Sequence, residues 1–304
     1  MSGRTSDRHA ESIRQRVRNE LRARGENVEF GLQRYAVERF LYRLGRSSHR
    51  KSFVLKGATL FAIWGTVYRP TRDIDLTGYG SSEVRDVIDA FREICNTPDE
   101  VESLVFDTEG ITVDPIRDGT EYGGLRVRLR AWLGESDIPI QVDVGFGNAI
   151  VPEPEEIEFR TLLGDPPPRI LAYPQEAIVA EKCHAMVILG ERNSRFKDFY
   201  DIHALAGAFR FERSTLVTSV RATFDCRSTP VEDALPAALG TAFYANPGRA
   251  AQWRAYVSRN DLLEAPSDFV QVGERITTFL QPVWQDLRSD NTHAGDWPPG
   301  GPWR

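Results

Sequence analysis

Apolar residues recur at helical spacing through the N-terminal part of the chain. Residues 1–25 are rich in arginine and are predicted to be helical. From Val37 onward, apolar side chains follow at i, i+3, i+4 and i+7, which predicts an amphipathic helix over 34–45. Gly45 is expected to end this helix, because glycine is common just after the last helical residue.

The pattern then changes to short segments with strand periodicity. An apolar run at 53–55 leads into a predicted helix at 58–64, and a strand is predicted at 72–77. In that strand apolar residues alternate with Asp73 and Asp75. Alternate residues of a strand point to the same side, so both carboxylates are expected on one face.

One more helix and several strands complete the predicted sheet region. Ser82 is expected to cap a helix, since serine accepts hydrogen bonds from a first helical turn. Strands are predicted at 103–107 and 111–116. Alternating apolar residues on both sides of a turn predict a hairpin of 125–131 with 138–144.

The remainder of the chain has a helical pattern. Residues 152–168 are rich in proline and acid and predict a linker or an exposed loop. Helices are predicted at 174–189 and 196–207, and helical stretches continue to about residue 285. The prolines and glycines that follow Trp297 predict a disordered tail.

These patterns predict an α+β fold, with a mixed sheet and flanking helices followed by a helical C-terminal domain. Four regions are expected along the chain. They are a helical, basic N-terminal region at 1–50, a mixed core at 51–165, a helical domain at 166–290 and a disordered tail at 291–304.

Composition favours a soluble, cytoplasmic protein. The chain has 304 residues, of which 41% are hydrophobic and 27% charged. No apolar run approaches the ~18 residues that span a bilayer, and the N-terminus has no apolar signal segment, so no membrane partner is expected. The three cysteines have no metal-ligand spacing and are expected to be reduced, structural thiols.

The charge is uneven along the chain. The net charge is -6, yet residues 1–50 carry 12 arginines against 6 acidic residues. This region could contact phosphates, or it could be a solvated amphipathic helix, and the composition does not separate the two. Only four of the 38 basic residues are lysines, which makes Lys56, Lys182 and Lys197 candidates for sites that need a compact ammonium group. The fourth, Lys51, is attributed to chance.

The strongest local signal for chemistry is the pair Asp73 and Asp75. Two carboxylates on one strand face repel each other unless a cation lies between them, and hard divalent cations take such oxygens as ligands. Gly57 upstream would let backbone amides approach a triphosphate. Asp143 lies in a strand that is apolar on both sides of it and is a candidate third ligand. The alternative is that these acids are merely solvated.

A second group of charged residues lies in the predicted helices. Asp198 and Asp201 are spaced i and i+3, so they share a helix face, and Lys197 lies four residues before Asp201. A surface salt bridge explains this spacing equally well. His184 and His203 lack a ligand partner at useful spacing and are expected to be core or helix-surface residues.

Together these segments resemble the AbiEii/AbiGii nucleotidyltransferase toxin family, which includes the mycobacterial MenT enzymes. The resemblance covers roughly residues 30 to 210. It is carried by Lys56-Gly57-Ala58-Thr59-Leu60, Thr71-Arg72-Asp73-Ile74-Asp75-Leu76, Ala180-Glu181-Lys182 and Arg195-Phe196-Lys197-Asp198-Phe199-Tyr200-Asp201-Ile202. Ala58 departs from the family, which often has a second glycine there.

The resemblance implies a polymerase-β-like nucleotidyltransferase core over 51–165 and the toxin half of a toxin–antitoxin system. It implies transfer of nucleotides from an NTP, with Mg²⁺ or Mn²⁺, to an RNA, in several members the acceptor end of tRNA. A cognate antitoxin is a possible partner.

The resulting site prediction combines the residues and the resemblance. The metal ligands are Asp73, Asp75 and Asp143, and the catalytic residues are Lys182, Asp198 and Asp201. The nucleotide-binding residues are Lys56, Gly57, Thr71, Lys182 and Lys197, and the RNA-binding residues are Arg14, Arg16, Arg18, Arg126 and Arg128.

Three other readings remain open from the sequence. The same enzyme could use a small-molecule acceptor, or the same core could be a phosphotransferase. The chain could also be a catalytically silent binding module that keeps the fold. The set of Asp73, Asp75, Asp143 and Lys182 argues against the silent module, which would not need all four.

Overall fold

The computed structural model describes residues 3–25, 27–65, 73–101, 104–116, 123–262, 264–289, 291 and 293–304. The chain folds as two compact units. The first unit comprises residues 1–63, 71–147 and 155–172, and the second comprises residues 64–70, 148–154 and 173–304.

The first unit combines four helices with the strands of one sheet, within the described residues. Its elements, in chain order, are α1 (Gly3–Arg24), α2 (Val28–Arg46), β1 (Phe53–Lys56), α3 (Ala58–Trp64), β2 (Asp73–Gly78), α4 (Val84–Asn96), β3 (Val105–Phe106), β4 (Thr112–Ile116), β5 (Gly124–Leu133), β6 (Ser136–Phe146), β7 (Glu155–Glu158) and β8 (Arg169–Ala172).

The sheet is mixed, as predicted. In the described part of the chain it has eight strands in the order β3-β5-β6-β2-β1-β8-β7, and β4 also pairs with β5. β2 runs parallel to β6 and antiparallel to β1, while β5 and β6 form the predicted hairpin. The parallel pairing places the two aspartate-bearing strands side by side.

The two faces of the sheet differ in polarity. Val127, Leu129 and Ala131 of β5 are buried, whereas the alternating arginines Arg128 and Arg130 are exposed. Helices α1, α2 and α4 pack against the sheet, and their apolar side chains cover its apolar face. The opposite face keeps the charged side chains of β2, β5 and β6.

The sequence predicted that Gly45 ends the second helix, and this prediction is wrong. The helix continues to Arg46 and is capped at Ser47. Gly45 instead lies against the backbone of Arg169, where a Cβ atom would collide with the Arg169 carbonyl oxygen. The glycine is therefore required by close packing of α2 against β8 rather than by a helix end.

Two other local predictions need correction. Ser82 does not cap α4, because the cap position is Glu83 and its backbone amide donates to Ser81 Oγ. The predicted linker at 152–168 contains strand β7, which pairs antiparallel with β8. The prolines of this segment lie outside β7, whose exposed glutamates fit a strand at the sheet edge.

Two of the arginines among residues 1–50 are buried. Arg39 is fully buried, its Nη2 donates to the Pro166 carbonyl at 2.9 Å, and its Nε lies 3.4 Å from the Asp99 carboxylate. Arg43 is buried as well, and its Nη2 donates to the Leu104 carbonyl at 3.0 Å. These two arginines hold the fold together, so they do not contribute to a basic surface.

The second unit is mainly helical. An aromatic core surrounds Phe199, whose ring stacks on Phe243 with centroids 5.3 Å apart. Its elements are α5 (Gln175–Leu189), a 3-10 turn (Gly190–Arg192), α6 (Phe196–Ala208), β9 (Phe211–Glu212), α7 (Arg213–Cys226), a 3-10 turn (Ala237–Leu239), α8 (Thr241–Tyr244), α9 (Pro247–Arg259), α10 (Phe269–Ser289) and β10 (Asp296–Trp297).

The described residues of the C-terminal tail are ordered, contrary to the expected disorder. Strand β10 pairs with β9, and the buried Trp297 indole donates to the Ala206 carbonyl at 2.7 Å. Trp303 stacks on Phe279 and donates to its carbonyl at 2.9 Å. The buried indole of Trp297 and the half-buried indole of Trp303 offset the chain entropy that the prolines and glycines suggested would dominate.

Candidate active site

Four charged side chains form a row across neighbouring strands of the first unit. Lys56 pairs in register with Asp75, Asp75 with Asp143, and Asp143 with Arg126. Residues paired in register project from the same face with their Cβ atoms ~5 Å apart. This charged row therefore places two carboxylates side by side with a cation at each end.

Asp73 and Gly57 extend the charged row. Asp73 precedes Asp75 by two residues and shares its face, and both are half-buried between the buried Ile74 and Leu76. Gly57 has a φ of +75°, and a Cβ atom built on it would collide with the Asp75 carboxylate. Only glycine allows the backbone before α3 to approach this carboxylate so closely.

Arg126 holds Asp143 with two parallel hydrogen bonds. Its Nε donates to Oδ1 at 2.8 Å and its Nη2 to Oδ2 at 2.7 Å, so both carboxylate oxygens are engaged. The side chains are 34% and 19% exposed. The other arginines of this strand face also form ion pairs, Arg128 with Asp114 and Arg130 with Asp137.

The oxygen ligands of the charged row fit a divalent cation. Oxygen atoms of Asp73, Asp75 and Asp143 are the ligand type that Mg²⁺ and Mn²⁺ prefer, and the backbone at Gly57 lies close against the Asp75 carboxylate. In the described part of the chain, no three His, Cys, Asp or Glu side chains are already grouped as a metal site. Both oxygens of the Asp143 carboxylate are engaged by Arg126.

A second charged group lies in the second unit and is here called the lysine cluster. Lys182 of α5 lies 3.0 Å from Asp198 Oδ1 and 2.6 Å from Asp201 Oδ2, and both aspartates belong to α6. Arg195 Nε lies 2.9 Å from Asp198 Oδ2. The aspartate side chains are only 2% and 1% exposed. The surface salt bridge between Lys197 and Asp201 that the sequence suggested is therefore wrong.

The neighbouring positive charges keep Asp198 ionised. Burial raises the pKa of Asp198, but the charges of Lys182 and Arg195 outweigh this effect and bring the pKa below its ordinary value. Asp198 therefore stays an anion at neutral pH. The spacing of Asp198 and Asp201 positions both carboxylates to fix one ammonium group.

The other predicted site residues are dispersed. Lys197 is exposed at the start of α6, and Thr71 lies outside the described residues. Arg14 pairs with Glu11 at 2.6 Å, Arg16 makes a 3.4 Å contact to the Leu163 carbonyl, and Arg18 is half-buried on α1. No ligand set or catalytic arrangement brings these α1 residues together.

Sequence reasoning missed the network around Arg227. Its Nη1 donates to His184 Nδ1 at 3.0 Å and its Nη2 to Asn148 Oδ1 at 3.3 Å, while Glu181 lies 3.6 Å away. Burial and the Arg227 charge lower the pKa of His184 to about 4. Glu181 and His184 share one turn of α5, but Arg227 and Asn148 come from distant parts of the sequence, so no local spacing indicates the network.

His203, Cys95 and Cys183 are buried, which fits the expectation that they are structural residues. His203 is buried, and burial together with Arg275 lowers its pKa to about 4. Burial raises the pKa of Cys95 and Cys183 to about 12, and neither forms a disulfide. Protonated, buried thiols of this kind are inert.

The comparison with known families identifies the class of protein. The family described as "Nucleotidyl transferase AbiEii toxin, Type IV TA system" matches residues 39–280. The match spans most of the chain and includes both the charged row and the lysine cluster. The chain therefore belongs to the AbiEii nucleotidyltransferase toxin family.

Two solved structures from Helicobacter pylori are similar to the chain. One is a candidate nucleotidyltransferase, 14% identical with a TM-score of 0.48, and the match covers 84% of this chain and 94% of that one. The other is JHP933, 15% identical with a TM-score of 0.45, covering 83% and 90%. No curated protein matches the chain.

Across the part of the chain that the structure describes, no helix combines the length and apolar character needed to cross a bilayer.

Proposed function

We propose that this chain transfers nucleotides from an NTP to an RNA, at the 3′ end of a tRNA, using two divalent cations. The observation that carries the proposal is the register of β2 with β6, which sets Asp75 beside Asp143 on the face that also presents Asp73. Membership of a nucleotidyltransferase toxin family supports the reaction class.

The charged row would hold the metal and the phosphates. Asp73, Asp75 and Asp143 supply carboxylate oxygens, and Lys56 and the backbone at Gly57 lie beside them to receive a triphosphate. Mg²⁺ or Mn²⁺ bound there supplies positive charge that offsets the charge developing on the phosphates.

The proposed reaction is an in-line displacement at the α-phosphorus. The oxygen of the acceptor hydroxyl forms a bond to this phosphorus, the bond between the α-phosphorus and the bridging oxygen of the β-phosphate breaks, and pyrophosphate leaves. A carboxylate of the charged row accepts the hydroxyl proton. The protein's main contribution is to position the reacting groups and stabilise their charge.

The lysine cluster would neutralise phosphate charge. Asp198 and Asp201 fix the ammonium group of Lys182 from two sides, so its position is set before substrate arrives. Lys197 and Arg195 are exposed next to this group and add positive charge at the start of α6. A pre-positioned cation loses little entropy when it meets a phosphate.

The acceptor proposal rests on family membership and on α1. The side chains of Ile13, Val17 and Leu21 are buried, whereas Arg16 is exposed and Arg18 is half-buried. Arg16 and Arg18 are suited to contact an RNA backbone, which would make binding dependent on salt and insensitive to sequence. An antitoxin protein that restrains the toxin is the second proposed partner, because the family is defined within type IV toxin–antitoxin systems.

The direct test incubates the protein with each radiolabelled NTP, Mg²⁺ and total RNA. We expect one or more nucleotides to label tRNA, and Asp75→Asn to prevent labelling. Labelling of a small molecule without labelling of RNA would favour the small-molecule acceptor. Expression in bacteria should slow growth, and Asp75→Asn should relieve this.

The contribution of α1 is tested separately. Replacing Arg16 and Arg18 together by Gln should raise the KM for RNA and leave the KM for NTP unchanged. Exposed arginines of α9 provide the matched control, and replacing Arg254 and Arg259 by Gln should change neither constant. An unchanged RNA KM in the α1 variant would remove this helix from the acceptor site.

A further inference from the structure

The Arg126–Asp143 pair differs from the other ion pairs of its strand face. Arg128 and Arg130 are 49% and 58% exposed and pair with acids on β4 and β6 that lie outside the charged row. Arg126 is less exposed, and it occupies both oxygens of the carboxylate that stands next to Asp75.

The positive charge of Arg126 reduces the repulsion between Asp75 and Asp143. Two carboxylates in register on adjacent strands repel each other, and a cation beside either of them lowers that repulsion. Arg126 provides such a cation at one end of the charged row, as Lys56 does at the other. The guanidinium group thus satisfies the same need that a divalent cation would satisfy.

We propose that Arg126 is a positioning residue that competes with the divalent cation for Asp143. The ion pair holds Asp143 toward β5, and metal binding requires this carboxylate to exchange the guanidinium for the metal. Arg126 therefore sets the affinity for the metal and weakens metal binding in the absence of nucleotide. This inference rests on the proposed function, because it takes Asp75 and Asp143 as metal ligands.

The size of the effect follows from Coulomb's law. A unit positive charge roughly 6 Å from a divalent cation weakens metal binding by about tenfold even in the dielectric of bulk water, where the effect is smallest. The opposite role, in which Arg126 orients Asp143 for the metal, would instead strengthen binding by about 10- to 100-fold. The two roles predict opposite signs.

The experiment measures Mn²⁺ binding to the full chain without nucleotide, by electron paramagnetic resonance of free Mn²⁺. Arg126→Gln should bind Mn²⁺ about tenfold more tightly than wild type. Arg126→Lys, which keeps the charge but not the two parallel bonds, should fall between them. Arg130→Gln is the matched control on the same strand face and should bind as wild type does.

Thermal unfolding in EDTA and in Mn²⁺ supplies a second readout. Arg126→Gln should melt below wild type in EDTA, because the paired carboxylates lose their cation, and Mn²⁺ should raise its melting temperature more than that of wild type. A merely structural arginine would lower both melting temperatures equally and leave Mn²⁺ affinity unchanged.

The outcomes separate this inference from the proposed function. If wild type binds Mn²⁺ in a manner that Asp75→Asn abolishes, but Arg126→Gln binds equally or more weakly, the competition is wrong and the metal site stands. If neither wild type nor Arg126→Gln binds Mn²⁺, the metal site itself is wrong, and the inference falls with it.

Discussion

Replacing Lys182 by Met should destabilise the second unit strongly. The Lys182 side chain is 13% exposed, and its ammonium group pairs with both Asp198 and Asp201, whose side chains are almost fully buried. Removing one partner from a buried charge group leaves the others uncompensated and typically costs about 3–5 kcal/mol. Arg195 still faces Asp198 but is 48% exposed, so it offsets only part of this loss.

The assay is urea unfolding followed by tryptophan fluorescence. Five of the six tryptophans, all except Trp132, belong to the second unit, so the signal reports mainly on that unit. Adding Asp201→Asn to Lys182→Met should recover about half of the lost stability, because one uncompensated buried charge is removed.

A wild-type unfolding midpoint for Lys182→Met would refute this reasoning, and so would a double variant less stable than the single one. The result also governs activity assays. Loss of transfer in Lys182→Met can be assigned to chemistry only when it is measured without urea, at a temperature where the variant remains folded.

Three further predictions follow from individual residues. The pKa of His184 and of His203, about 4 in the folded chain, lies below the ordinary value near 6.5, so the unfolded chain binds more protons between these values. The free energy of unfolding should therefore fall as pH drops from about 6.5 to about 5, and a flat profile in urea titrations would contradict this. Gly57→Ala should reduce nucleotide transfer by roughly 10²-fold, because its Cβ collides with the Asp75 carboxylate; Gly65→Ala, with a φ of +67° and open space around it, is the control. Trp297→Ala should lower stability by about 3–5 kcal/mol in the same urea assay, and an unchanged midpoint would mean that the C-terminal tail does not pack on α6.

Elements that depend on local periodicity could be predicted from the sequence. The helix at 58–64 matches α3, and the strand carrying Asp73 and Asp75 matches β2 within a residue at each end. Both patterns are short-range, since alternation and helical spacing are properties of neighbouring residues. The hairpin of β5 with β6 was predicted for the same reason.

Features that depend on distant partners could not be predicted. The clamp of Arg126 on Asp143 needs the register of two strands, and the close approach of Gly45 to Arg169 needs the packing of α2 on β8. The ordered tail was missed because proline and glycine indicate disorder locally, while the burial of Trp297 is a tertiary effect. Composition in the first 50 residues likewise could not show that Arg39 is buried.

The measurement that tests the central claim most directly compares two labels of the same NTP. The protein is incubated with RNA, Mg²⁺ and NTP labelled either at the α- or at the γ-phosphate. Nucleotidyl transfer predicts that RNA acquires the α-label and never the γ-label, and that Asp75→Asn, folded as wild type is, acquires neither. Transfer of the γ-label would show a phosphotransferase, and equal α-labelling by wild type and Asp75→Asn would contradict the assignment of the charged row as the catalytic centre.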